Sequence, residues 1–382
     1  MSPFVRLARS GRPSLFLLLV LCALCLPGCQ GNPIAIGFLG PLQGKYSDLG
    51  VQGRNGAMLA VEEINAEGGV AGRPLLLTAV DDANDEAKAV AAIRTLGRQE
   101  VTAVIGPMTS VVAVTVLPLA AEEGLTLISP TVSSPYLSGK KDNFYRLTPD
   151  TPHECAALAR FALTKRGVRD VAVITDLANA AYTVPCADNF ISELHAAGGR
   201  VLADIRLNSA AVGDWKPTAA ELARLGPDAV FGVLSGRDFA SLARDLHHQG
   251  TRTLLLGSMW SATQELLQTG GLSVEGALFS LNYDDNNPLP RFQAFKQRFE
   301  RRFGTPPSFA ACFSYEAVMV LARALEWTRG SRNGLPEALS ALGKVEGVQS
   351  PLVFDEYGDV SRRGFIVEVK DGGFKTLESI EP

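Results

Sequence analysis

The sequence predicts an α/β protein of two similar lobes, and three observations carry that prediction. Short apolar runs alternate with segments of helical periodicity along nearly the whole chain, the pattern of parallel α/β architecture. At 382 residues the chain is too long for one compact core, so two domains are expected. The alternation also restarts midway, with "INAEGGVAGRPLLLTAV" and "LHAAGGRVLADIRL" in corresponding places of the two halves.

Taken in order, residues 1–28 read as a lipoprotein signal peptide rather than as part of the fold. Arg6, Arg9 and Arg12 form a basic region before the apolar run from Leu15 to Leu26. That run is too short to cross a bilayer core of roughly 30 Å. It ends in Leu26-Pro27-Gly28-Cys29, which resembles a bacterial lipobox and makes Cys29 the lipid-bearing residue; a plain secretory peptide containing a cysteine is the alternative. In the lipoprotein reading the protein sits in the periplasm or at the cell surface, held to the membrane by lipid alone.

A strand from Ile34 to Leu39 then leads into a helix with Ala57, Val61 and Ile64 on one face. That helix stops at Gly68-Gly69, where glycine tolerates a left-handed C-cap. Strand Leu75 to Val80, helix Asp85 to Arg98, strand Val101 to Ile105, helix Thr109 to Glu122 and strand Leu125 to Ile128 complete the first half. The second half runs through helix Pro152 to Lys165, strand Asp170 to Ile174, a helix ending at Gly198-Gly199 and strand Arg200 to Leu207. Helix Lys216 to Leu225, strand Ala229 to Leu234, helix Asp238 to His248 and strand Thr253 to Leu256 follow. Late helices around 290–302 and 309–327 need a sheet to cover, and the first half still lacks partners. The chain therefore returns to its first domain, as in a two-lobed clamp. The expected division is 33–149 with 281–347 for the N-terminal lobe and 150–280 with 348–382 for the C-terminal lobe.

Charge and chemistry exclude several classes of function. A formal net charge of −4, falling to −7 if the three signal-peptide arginines are removed, leaves no electrostatic footprint for nucleic acid. No GxSxG, HExxH, Walker A or GxGxxG motif is present, and no cofactor or metal site is implied. His153, His195 and the pair His247-His248 suit surface or helix-end positions. Beyond the anchor, Cys155, Cys186 and Cys312 are an odd set: Cys155 and Cys186 either pair or serve, with Cys312, as small buried apolar groups.

The segments "GPLQGKYSDLGVQGRNGAMLAVEEINAEGGVAGRPLLLTAVDDANDEAKAV", "VTAVIGPMTSVVA", "LTLISPTVSSPYL", "VAVITDLANAAYTVPCADNF", "GPDAVFGVLSGRDFASLARDL" and "PLVFDEYGDV" resemble type I periplasmic binding proteins. Within that group they look like the leucine/isoleucine/valine-binding proteins that feed ABC importers. The resemblance spans essentially all of the chain after the signal. It implies two doubly wound α/β lobes joined by a hinge, closure around a branched-chain amino acid or related small carboxylate, and delivery to permease subunits. It implies no enzyme activity. By matching position, Ser110, the backbone of Thr131 and the hydroxyl of Ser133 would hold the ligand's carboxylate. Helix N-termini and hydroxyls suit that role, although the same residues also serve as N-caps and turn formers. Tyr182 matches an aromatic laid over the ligand on closure, or else packs at the rim between the lobes.

Departures from the resemblance are as informative. Met259 falls where the family's acidic residue accepts the ligand's ammonium, and Asp48 is a nearby candidate to replace it. Leu49 and Ser235 stand at aromatic positions. Trp260 is either a flat apolar wall of the pocket or, with a shift of one residue, a packing residue. The family's disulfide positions fall on Asn84 and Thr109, which cannot form one. A carboxylate pocket with a weakened ammonium pocket fits an aromatic or branched carboxylic acid. A different class also uses this fold: lipid-anchored envelope adaptors that bind a protein partner, and sensor modules that pass ligand state to a receptor. A substrate-free adaptor would not need to retain Ser110, Thr131 and Ser133.

Overall fold

Parallel strands covered by helices on both faces must be apolar on both faces, and the central strands of both sheets are. The computed structural model describes residues 31–381; the signal segment and Cys29 lie outside the described residues. In the first lobe, β1 (Ile34–Gly40), α1 (Ser47–Ala66), β2 (Leu75–Asp81), α2 (Glu86–Arg98), β3 (Val104–Ile105), α3 (Ser110–Glu122), β4 (Leu127–Ser129) and β5 (Phe144–Arg146) follow in order. Their sheet runs β2-β1-β3-β4-β5, parallel throughout, with Ile34 opposite Leu75 and Gly40 opposite Asp81.

The second lobe repeats the winding. It contains α4 (Pro152–Arg166), β6 (Asp170–Asp176), α5 (Ala180–Ala196), β7 (Arg200–Leu207), α6 (Lys216–Leu225), β8 (Ala229–Val233), α7 (Gly236–His248), β9 (Leu254–Gly257), α8 (Gln264–Gly270) and β10 (Leu278–Leu281). Its sheet runs β7-β6-β8-β9-β10 and is extended by two later strands. In both lobes the second strand pairs outside the first, as β2 does on β1 and β7 on β6. This is the structural content of the internal repeat. β7 shows why a repeat strand reads clearly: its burial alternates strictly along the strand, as an edge strand with one solvated face requires.

The chain then recrosses. α9 (Pro290–Phe303) and α10 (Phe309–Thr328) pack on α1 of the first lobe, and α11 (Leu335–Ala341) follows. α10 approaches α1 so closely that a Cβ on Gly56 would lie 1.9 Å from the Ala311 carbonyl oxygen. Arg298 pairs with Glu63 at 2.6 Å and Arg302 with Glu62 at 2.8 Å along the same seam. β11 (Lys344–Glu346), β12 (Pro351–Phe354) and β13 (Val360–Ser361) form a small antiparallel sheet. It lies beside β5: Arg146 N–H donates to the Gly358 carbonyl at 3.1 Å, and Arg146 Nε meets Asp359 Oδ1 at 2.7 Å. Residues 351–361 therefore pack with the first lobe, and the last crossing falls at Arg362–Arg363 rather than at the expected 348. Strand pairing to β11 carries the chain past the boundary that hydropathy suggested. β14 (Gly364–Lys370) and β15 (Gly373–Ile380) then add antiparallel strands beside β10.

Buried polar groups tie these crossings together. Arg362 forms an ion pair with Glu316, donates to the Leu147 carbonyl and lies with its guanidinium 4.2 Å from the Phe313 ring centroid. Asn282 Nδ2 donates to Glu154 Oε1 at 2.8 Å. Cys155 and Cys186 form a disulfide between α4 and α5, and Cys312 is free and buried. Of the alternatives left by the sequence, pairing is the one the structure contains.

Candidate functional site

Most loops around the cleft follow the carboxyl end of a strand, where open α/β sheets place ligands. A small cavity of about 20 Å³ lies there, with walls drawn from both lobes. The first lobe contributes Leu49 from α1, Met108 to Ser110 from the β3–α3 turn, and Thr131 and Ser133 from the loop after β4. From the second come Asn179 and Tyr182 after β6 and Met259 and Trp260 after β9, while Phe309 at the start of α10 completes the wall. That is room for little more than one water molecule, far below the volume of a ligand pocket, so a ligand needs the lobes to part. All six residues expected at the ligand are brought together: Ser110, Thr131, Ser133, Tyr182, Met259 and Trp260.

Part of the cavity wall is polar. Ser110 opens α3, where N–H groups without helical partners and the helix dipole favour negative charge. Thr131 spends its hydroxyl on the Met108 carbonyl at 2.6 Å, which leaves its backbone N–H as the group it can offer. Ser129 Oγ donates to the Pro107 carbonyl at 2.7 Å and accepts from Val132 N–H at 3.1 Å, so the two loops are braced against each other. Ser133 Oγ is buried with no hydrogen-bond partner. A buried hydroxyl without a partner costs free energy, and here it borders the cavity. Thr109 Oγ1 donates to Asn84 Oδ1 at 2.7 Å. A hydrogen bond thus joins the two positions where the resemblance would put a disulfide.

The rest of the wall is apolar and aromatic. Trp260 lines the cavity and also packs across the cleft: Tyr46 of the first lobe stacks on it with centroids 5.7 Å apart, and Tyr182 meets it edge-on at 6.2 Å. Burial raises the pKa of the Tyr182 hydroxyl and keeps it neutral. Met108, Met259, Leu49 and Phe309 supply the remaining surface.

No carboxylate is among these lining residues. Asp48 does not replace the missing acid. It faces the second lobe near Thr263, Glu265 and Arg237, and burial raises its pKa. Ser235 also stays out of the wall; it caps α7 and donates to Asp238 Oδ2 at 2.8 Å. Glu154, buried on α4, is bonded to Asn282, and burial shifts it toward the neutral form.

Beside the cavity the lobes are joined by charge. Lys45 crosses to Asp238 at 2.9 Å and donates to the Ser209 carbonyl at 2.6 Å. Ser209 gives its proton to Asp176 at 2.5 Å, so Tyr46, 3.2 Å away, is the donor in its contact with Ser209. Trp215 Nε1 and the Ser235 hydroxyl satisfy the rest of Asp238. On the opposite flank Val111 N–H donates to Asn179 Oδ1 at 3.0 Å and Asn84 Nδ2 to the Ala178 carbonyl at 3.3 Å. Sequence reading missed Lys45, Asn179 and Ser209. Each is an ordinary loop residue whose partner lies more than sixty positions away.

Two similar lobes closed on a cleft cavity, with hydroxyls and apolar side chains in its wall, define a class of two-lobed small-molecule-binding proteins. The chain belongs to the periplasmic binding protein family, whose model matches residues 33–374. It is 29% identical over 355 residues to a Leu/Ile/Val-binding protein homologue of Brucella melitensis, covering 90% of this chain and 94% of that one. Its fold matches a leucine-binding protein of Thermotoga maritima with a TM-score of 0.83 and 26% identity, over 91% of this chain and 99% of that one. A solute-binding protein of an ABC transporter from R. palustris, in complex with benzoate, shares the fold with a TM-score of 0.82 at 22% identity, over 92% and 97% of the two chains. The chain is a solute-binding protein of this family, not an enzyme. Among the described residues no helix is long and apolar enough to cross a membrane.

Proposed function

We propose that the protein captures a small branched or aromatic monocarboxylate outside the cytoplasmic membrane, held there by lipid on Cys29, and presents it to the permease of an ABC importer. The observation that carries this reading is the make-up of the cavity wall. Ser110, Ser133 and the Thr131 N–H are there to donate, and no acid is among the lining residues. A carboxylate placed among those donors gains charge-assisted hydrogen bonds of about 1.5–3 kcal/mol each. An α-ammonium on the same ligand would be buried against Met259 without a counter-charge, a cost larger than that gain. Closure is favoured only so far as the ligand touches both lobes, and Tyr182, Met259 and Trp260 provide the second-lobe surface.

The second reading is capture of leucine, isoleucine or valine, favoured by the binding proteins this chain resembles. A thermal-shift panel on protein refolded to strip carried-over ligand separates the two. Leucine, valine and phenylalanine are set against 4-methylpentanoate, benzoate and phenylacetate. Ligand at a hundred times its dissociation constant adds about 2.7 kcal/mol of apparent stability. Stabilisation by the deaminated acids alone supports the proposal. Stabilisation by amino acids alone refutes it, and no response to any of them favours a protein partner instead.

A further inference from the structure

The N-terminus of α3 is capped from the opposite lobe. Thr109 occupies the N-cap position, yet its side chain makes no cap hydrogen bond, because its hydroxyl is turned to Asn84. The N–H of Val111, in the first turn, is accepted instead by Asn179 Oδ1 at 3.0 Å, from the loop after β6. An amide side chain carries an acceptor oxygen and a donor NH2 group. Since Val111 offers an N–H, the oxygen must face it, and this contact fixes which way the amide is turned. The NH2 group is then what Asn179 has left to present. Asn179 is itself a wall residue of the cavity and only 3% exposed.

We propose that Asn179 is a specificity-determining residue, donating through Nδ2 to the ligand's carboxylate from the second lobe while its oxygen caps α3. The inference rests on the carboxylate reading above. It adds that the anion bridges both lobes: Ser110, Ser133 and the Thr131 N–H hold it from one side, and Asn179 holds it from the other. One side chain thus couples two events. Closing the lobes caps α3, the helix whose remaining N–H groups attract the anion, and brings the last donor to that anion. Opening removes cap and donor together, so the carboxylate end is complete only in the closed state. A ligand whose polar end is a cation would find donors where it needs acceptors, and closure would not reward it.

The Asn179→Asp variant separates the two roles. Aspartate has the same shape and keeps an oxygen for Val111, and a negative charge at a helix N-terminus strengthens the cap. It replaces the donor by an anion. Full-length wild type, Asn179→Asp and Ser110→Ala are stripped of ligand and titrated calorimetrically with benzoate and with 4-methylpentanoate, and their thermal midpoints are recorded without ligand. The expected result is a midpoint for Asn179→Asp equal to or above that of wild type, together with affinity for the bound carboxylate reduced about tenfold or more. Undiminished binding by Asn179→Asp, while Ser110→Ala weakens it, overturns the inference and leaves the carboxylate reading standing. A lowered midpoint for Asn179→Asp contradicts the cap and also overturns it. If wild type binds neither acid, the carboxylate reading falls and this inference with it.

Discussion

Lys45 gives the most direct test of how closure is held. Its ammonium meets Asp238 at 2.9 Å and the Ser209 carbonyl at 2.6 Å, both in the second lobe, and it is not part of the cavity wall. Lys45→Met keeps most of the aliphatic stem and removes the charge. Breaking a fully buried ion pair by removing one partner costs about 3–5 kcal/mol. The Lys45 side chain is 24% exposed and Asp238 retains Trp215 and Ser235, so the loss should be nearer 1.5–3 kcal/mol, the worth of a charge-assisted hydrogen bond. All of it falls on the closed state, since the partners separate when the lobes do. Ligand affinity should therefore drop between about ten- and a hundredfold, and the radius of gyration of the ligand-free protein should increase in small-angle scattering. Titration calorimetry with whichever ligand stabilises the wild type reads the first quantity. If Lys45→Met binds as tightly as wild type and scatters identically, the bridge contributes nothing to closure.

Other outcomes follow from particular residues. Burial, with Asp81 and Asp85 close by as like charges, raises the Asp82 carboxyl to about 7 in the folded protein from an ordinary value near 3.8. A group whose folded pKa is raised contributes stability that is fully present below its unfolded value and is lost as pH rises through the folded one. Between about pH 4 and 7 wild type should lose stability relative to Asp82→Asn by at most ~1.4 kcal/mol per pH unit, and parallel urea-denaturation profiles would contradict this. The disulfide between Cys155 and Cys186 spans 31 residues, for which loop closure predicts about 3–4 kcal/mol; Cys155→Ala/Cys186→Ala should show that deficit in chemical denaturation. Gly56→Ala should lower the thermal midpoint through overpacking of about 1–3 kcal/mol, because its Cβ would meet the Ala311 carbonyl at 1.9 Å; an unchanged midpoint would mean that α1 and α10 can separate freely.

Much of the fold was legible because local patterns carry it. Lys216–Leu225 and Arg200–Leu207 were read with the boundaries the structure has. The short strands β5 and β10 escaped, since three or four buried residues show no period. The last crossing was misplaced because pairing of β12 with β11, not hydropathy, holds 351–361 beside β5. Asp48 was expected at the ligand because it adjoins Leu49 in sequence. On a helix, adjacent residues point about 100° apart, so Leu49 enters the wall while Asp48 faces Thr263.

The sequence by itself determined the two-lobed α/β class and the return of the late helices, because periodicity, turn residues and strand-end loops are local properties; the cleft residues came from the resemblance to a family, position by position. Tertiary structure alone decided which of those residues meet: that Cys155 reaches Cys186, that Trp260 is clasped between Tyr46 and Tyr182, and that Lys45 and Asn179 join the lobes. Such contacts link positions tens to hundreds of residues apart. Their geometry is set by how two sheets and a hinge pack, and no window of neighbouring residues contains it.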